Sequence, residues 1–166
     1  MNIFSWQSSL LFLSVLMSGL LAGLFYGYAC SVNGGLGRLS DPEYLRAMQS
    51  INKVILNPVF FFSLMGTLSF LPIAAGVNYT ADPSVRFYLL FLASVIYLAG
   101  VFGVTVAGNV PLNEALASFT IDGASASALS DQRAKFEASW NRYHGIRTIA
   151  SIVSFSFTIL SLFKIK

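Results

Sequence analysis

The 166-residue chain is poor in charge, in cysteine and in histidine, and each shortage closes off a class of protein. Charged residues make up 10% of it, against roughly 25% in an average soluble domain. Apolar residues make up 55%, among them 15 Phe. One domain of this length cannot bury so much apolar surface and still present a polar exterior, so part of it must face lipid. The same composition excludes disorder. A single cysteine, Cys30, excludes an internal disulfide and any cysteine-rich zinc site. A single histidine, His144, excludes multi-histidine metal centres and bis-histidine haem ligation, and leaves at most one axial ligand of that type per chain. The ten Lys and Arg are dispersed, with no basic stripe interleaved with aromatics, so nucleic acid is not an expected partner.

What is present is long uncharged stretches. No charged side chain occurs from Met1 to Gly37, from Val54 to Ala81, from Phe87 to Asn113 or from Thr148 to Phe163. Roughly 20 apolar residues span a bilayer as a helix. The gaps therefore predict four spans, at about Ser9–Ser31, Pro58–Val77, Phe87–Ala107 and Gly145–Phe163. Lipid leaves no water to pair backbone groups, so the spans should be helices. Runs such as Leu89–Leu92 lack strand-like alternation and argue against a barrel. The expected fold is all-α, a four-helix membrane bundle in one domain covering residues 1–166. The first span has no Lys or Arg ahead of it and is too long for a signal h-region, which predicts a retained helix. Its Gly19-x-x-x-Gly23-x-x-x-Gly27 repeat suits close helix packing.

Four spans gather the polar residues at one membrane face, in the connections at about Val32–Asn57 and Gly108–His144. Asn33-Gly34-Gly35-Leu36-Gly37 reads as a helix stop. Ser40 and Glu43 have capping-box spacing ahead of an amphipathic helix over about Pro42–Leu56, with Leu45, Met48, Ile51, Asn52 and Ile55 on one side. That helix is expected to lie along the interface or fold over the bundle mouth. Pro111 predicts a new helix reaching about Phe119, Ile121–Ser130 reads as a loop, and Ser130 or Asp131 can cap a last helix from about Gln132. Trp140, His144 and Arg147 then fall at i, i+4 and i+7, on one helix face. An arginine at the membrane boundary either faces a wet pocket inside the bundle or snorkels to headgroups.

Several strings occur in a recognisable order: Ala47-Met48-Gln49-Ser50-Ile51-Asn52, Asn57-Pro58, Val104-Thr105 with Asn109-Val110-Pro111-Leu112-Asn113, and Trp140-Asn141-Arg142-Tyr143-His144-Gly145-Ile146-Arg147. They resemble the anthrone oxygenase-like (DUF1772) family of small four-helix membrane proteins. One departure is Gly34-Gly35-Leu36, where the family pattern has Pro-Gly-Leu. The resemblance implies oxidation of anthrones to anthraquinones by oxygen, as in fungal members, with no recognised cofactor motif. An anthrone methylene is acidic, and its anion can pass an electron to oxygen directly. Such chemistry needs a base, donors for the oxyanion and an apolar slot. The resemblance then makes His144 the candidate base and Arg147 the oxyanion partner. Asn52, Asn57, Asn109 and Asn113 become candidates to orient the substrate, and Trp140 and Tyr143 candidates to wall the slot. For any single Asn, a helix cap or an interhelical hydrogen bond is the more common role.

Two other readings fit the same residues: an accessory subunit or homo-oligomer packed through Gly-lined faces, and a binder of lipid or of a flat quinone-like ligand without turnover. A channel is a weak reading, because no charged residue sits mid-span. The long connections carry Arg38, Arg46, Lys53, Arg133, Lys135 and Arg142, and the opposite side Arg86, Lys164 and Lys166. The excess of cations predicts cytoplasmic long connections, in a bacterial inner membrane by default.

Overall fold

The computed structural model describes residues 5–163, and among them it is helical with no strand; Lys164 and Lys166 lie outside the described residues. Five helices follow in order: α1 (Trp6–Leu36), α2 (Asp41–Val54), α3 (Pro58–Val77), α4 (Val85–Ala117) and α5 (Ala126–Leu160). Helices α1, α3 and α4 are each long and apolar enough to cross a membrane. The chain is thus an integral membrane protein of all-α class.

Three boundaries differ from the sequence expectation, each for a local reason. The Asn33–Gly37 stretch stops the first helix only at its end, where Gly37 is the C-cap. The helix widens into π-type turns at Tyr28–Val32 and continues through Asn33–Leu36, since Gly34 and Gly35 face open space and nothing there forces a turn. Pro111 stands in the first turn of an α-helical segment, Val110–Ala117, as expected, but that segment follows the preceding π-type turns without a break. The π-type turn at Thr105–Asn109 gives its ring room against the carbonyl of Ala107, and α4 runs through to Ala117. The last helix starts at Ala126 rather than Gln132. Gly123, with φ of 81°, ends the loop, and Ser125 caps α5 by accepting from Ala128 N at 3.2 Å. The expected cap and the expected fourth span therefore lie on one 35-residue helix.

The second half of α5 is not among the helices apolar enough to span. Its inner face carries Thr148, Ser151, Ser154 and Thr158, all buried. Each hydroxyl donates to a backbone carbonyl; the Ser154 bond crosses to Ala93 O on α4 at 2.8 Å. Its outer face presents Ile149, Ile152 and Val153. Helix α1 packs on α3 and α5, and α4 closes the circuit by packing on both of these. Leu21, Leu71, Leu90, Ala93 and Val101 are fully buried between them.

Helix α2 folds over one end of this assembly. Ser40 N donates to the Glu43 carboxylate at 3.1 Å, completing the capping box. Those bonds to Ser40 hold Glu43 below the usual carboxylate range. Tyr44, Leu45 and Met48 meet Leu116, Ile121, Phe136 and Trp140 in a second apolar cluster. Gln49 fixes the register by donating to Leu116 O and Phe119 O, both at 2.9 Å. Arg133 of α5 ties in the connection: it donates to Gly37 O and Leu39 O, pairs with Asp41 and Glu137, and stacks over the Tyr44 ring.

Candidate functional site

A cavity of about 280 Å³ lies beneath the α2 cap, between the end of α1, the start of α3, the end of α4 and the middle of α5. Its volume falls near the lower limit of small-molecule sites, about 300 Å³. Most of its lining is apolar: Phe25, Phe60, Phe61, Leu64, Met65 and Phe102 among others. Its polar lining comes from Tyr28, Asn52, Thr105, Asn109, Asn113, His144 and Arg147.

The 3.6-residue period puts Trp140, His144 and Arg147 on one stripe of α5, and packing turns that stripe inward. The Trp140 and His144 rings stack 5.0 Å apart at 15°. Phe25 and Tyr28 of α1 meet the imidazole edge-on, at 5.7 and 5.1 Å. Arg147 is 8% exposed, its guanidinium 4.5 Å from the Phe25 ring centre and 5.3 Å from that of Trp140. Cation–π attraction of this kind offsets part of the desolvation cost. Among the described residues Arg147 forms no ion pair. Its Nε donates to His144 Nδ1 at 3.2 Å. Guanidinium N–H groups only donate, so Nδ1 must accept, and the imidazole proton sits on Nε2. Nε2 faces the Thr148 hydroxyl at 3.5 Å.

Asn109, 1% exposed, donates through Nδ2 to Trp140 O at 3.3 Å. A carbonyl can only accept, which sets the amide's orientation and leaves Oδ1 without a partner. Asn52 Nδ2 is likewise buried with no partner. Orphaned buried polar atoms are rare and call for an explanation; here both side chains line the one cavity. Asn113 differs, because its Oδ1 accepts from Trp140 Nε1 at 2.8 Å.

Two candidates lie elsewhere. Asn57 caps α3, accepting from Phe60 N at 3.0 Å and donating to Val54 O at 2.9 Å. Tyr143 lies on the outer side of α5 against Gly108, where a Cβ would meet the ring at 2.7 Å. Neither lines the cavity. Sequence reasoning passed over Phe25, Tyr28 and Thr105. Nothing in an apolar span marks which aromatic faces inward, although Tyr28, near the end of an otherwise apolar helix, carried a weak signal. Among the described residues no three His, Cys, Asp or Glu side chains gather into a metal-binding group.

An all-helical membrane protein with a buried, partly polar cavity under one cap is the class that this geometry defines. Residues 56–157 match the family model described as anthrone oxygenase, which covers more than half of the chain, and the protein belongs to that family. Comparison with curated proteins and with solved structures gave no match. The matched stretch includes Asn109, Trp140, His144 and Arg147. Asn52 and the α1 residues Phe25 and Tyr28 precede it.

Proposed function

We propose that the protein oxidises a flat, apolar aromatic carrying an acidic C–H, an anthrone being the type case, with molecular oxygen in the cavity beside His144 and Arg147. The observation that carries this reading is the buried Arg147 guanidinium, which lines an apolar cavity with no carboxylate to neutralise it. Burying an unpaired cation is costly, and an enolate oxygen of the substrate would supply the missing charge. Family membership supports an oxygenase of this kind.

The chemistry follows from the hydrogen bond between the two residues. In the resting arrangement Arg147 occupies the Nδ1 lone pair of His144. As the substrate carbonyl oxygen gains negative charge, it becomes a stronger partner for Arg147 than a neutral imidazole. Nδ1 is then free to take the methylene proton, and the guanidinium holds the oxyanion. The carbanion passes one electron to oxygen, and the two radicals join in a C–O bond. The imidazolium returns its proton to the peroxide. Loss of the remaining C–H proton, with departure of hydroxide from the O–O bond, leaves the second carbonyl. One anthrone and one oxygen give one anthraquinone and one water. Asn52 Nδ2 and Asn109 Oδ1 offer the substrate's edge one donor and one acceptor, and Trp140 and Phe25 bracket its face.

In this reading α5 is the fourth spanning helix and residues 1–166 form a single membrane domain, with the α2 side cytoplasmic in a bacterial inner membrane. The test is purified protein in lipid nanodiscs, given anthrone under air, with oxygen uptake and anthraquinone absorbance followed together. Equimolar consumption and production, abolished in His144→Ala with the fold retained, is the expected result. Unchanged turnover in that variant removes His144 from the mechanism, and no turnover in the wild type overturns the assignment.

A further inference from the structure

Toward the polar side α2 covers the cavity. Above it Tyr44, Leu45, Met48, Leu116 and Phe136 of the α2 cluster are buried. Tyr28 OH reaches Met48 Sδ at 3.3 Å, Trp140 is held to Asn113, and Gln49 pins α2 to the end of α4. Toward lipid the situation is the opposite. Helix α3 packs along residues 85–103 of α4 and then parts from it. The divergence coincides with the π-type turns at Tyr97–Gly103 and Thr105–Asn109, which widen and re-aim α4. Six residues line the cavity and are also exposed on the protein's surface: Leu24 of α1, Leu56 after α2, and, in pairs on neighbouring helices, Phe61 and Met65 of α3 with Val106 and Val110 of α4. Residues with one side in a cavity and the other on the surface mark its rim. Phe61 and Met65 lie roughly 5–10 Å along the axis from Pro58, at acyl-chain depth for a helix that enters the bilayer there.

We propose that the cavity is filled sideways, by flat apolar molecules dissolved in the bilayer, through a portal between α3 and α4 framed by Phe61, Met65, Val106 and Val110. The polar groups then lie at the inner end of the route and the apolar ones at its mouth. A ligand enters with its apolar edge still in lipid and gives up its few hydrated groups only to Asn52, Asn109 and Arg147. The proposal rests on this cavity being the binding site, but on no reaction in it.

The experiment uses the full chain in vesicles with Trp6→Phe, which leaves Trp140 as the sole tryptophan. Trp140 fluorescence is measured against phosphatidylcholine brominated on its acyl chains and, separately, against aqueous acrylamide. The expected result is strong quenching by the brominated lipid and little by acrylamide. Adding Val106→Phe at the rim should cut the lipid quenching at least twofold and slow the association of anthraquinone, a non-reacting probe, at least tenfold. Phe61→Ala, which opens the mouth, should move both readouts the other way. Strong acrylamide quenching, or lipid quenching and probe association indifferent to both variants, overturns the portal. Because neither readout needs turnover, a working portal without anthrone oxidation would fault only the proposed reaction.

Discussion

The two halves of the helix assembly treat their buried polar atoms differently. Away from α2, α5 touches α4 and α1 closely, while an open apolar groove of about 570 Å³ lies between α3 and the first part of α4. A Cβ on Gly100 would sit 2.6 Å from Ala150 Cβ, and one on Gly19 would sit 2.9 Å from the Phe155 ring. Polar atoms there are satisfied: Tyr97 OH donates to Leu64 O and Ser154 to Ala93 O, both at 2.8 Å. Beneath α2 the same helices diverge around a cavity lined by an unpaired cation and two orphaned amide atoms. One half satisfies its buried polar atoms, and the other leaves two of them unpartnered around a cavity. Stability and function should therefore separate when the halves are mutated in turn.

The largest effect belongs to the open half. His144→Ala should lower anthrone oxidation by about 10²–10⁴-fold, with the helical circular dichroism of the detergent-solubilised protein retained. Arg147→Met should cost about 10²–10³-fold in kcat and leave the melting temperature equal or higher, because it removes a buried charge that has no counter-charge. A clear drop in melting temperature would show that Arg147 is structural. In the close-packed half the signs reverse. Gly100→Leu should destabilise by about 1–3 kcal/mol through overpacking against Ala150, read by thermal melting, while the folded fraction keeps its turnover per molecule. Asn109→Leu should alter stability by no more than about 1 kcal/mol and weaken binding of anthraquinone, measured by Trp140 fluorescence. The smallest effect is at the α2 cap. The bonds from Ser40 lower the Glu43 pKa in the folded state, so their contribution is complete above the ordinary value of 4.5 and fades as pH falls through the folded-state value beneath it. Hydrogen exchange at the start of α2 should accelerate on acidification, and Glu43→Gln should flatten that dependence.

How far the sequence could be read depended on how local each cause was. The α2 cap was legible because Ser40 and Glu43 lie three residues apart and act through adjacent backbone. The stripe of Trp140, His144 and Arg147 was legible because helical spacing is arithmetic. Gly34 and Gly35 misled because they permit a turn without requiring one, and no neighbour demanded it, whereas Gly37 does cap the helix. Pro111 marked the start of the α-helical segment Val110–Ala117 but gave no sign that π-type turns join it to the span before it. Asn57 and Asn109 looked alike in sequence. One has a free helix N-terminus within reach and caps it, while the other is enclosed between α4 and α5 with a single carbonyl to bond.

Composition and the spacing of charge by themselves settled that this chain is helical and lives in lipid, because hydrophobic length and backbone pairing in a bilayer admit few alternatives. They also placed its rare polar groups toward one end. Only the tertiary structure decided which of them meet, since α1, α3, α4 and α5 bring Phe25, Phe60, Asn109 and Arg147 together from positions up to 122 residues apart in the numbering. Contacts of that range depend on how π-type turns and glycines set the helix angles, which no local pattern encodes.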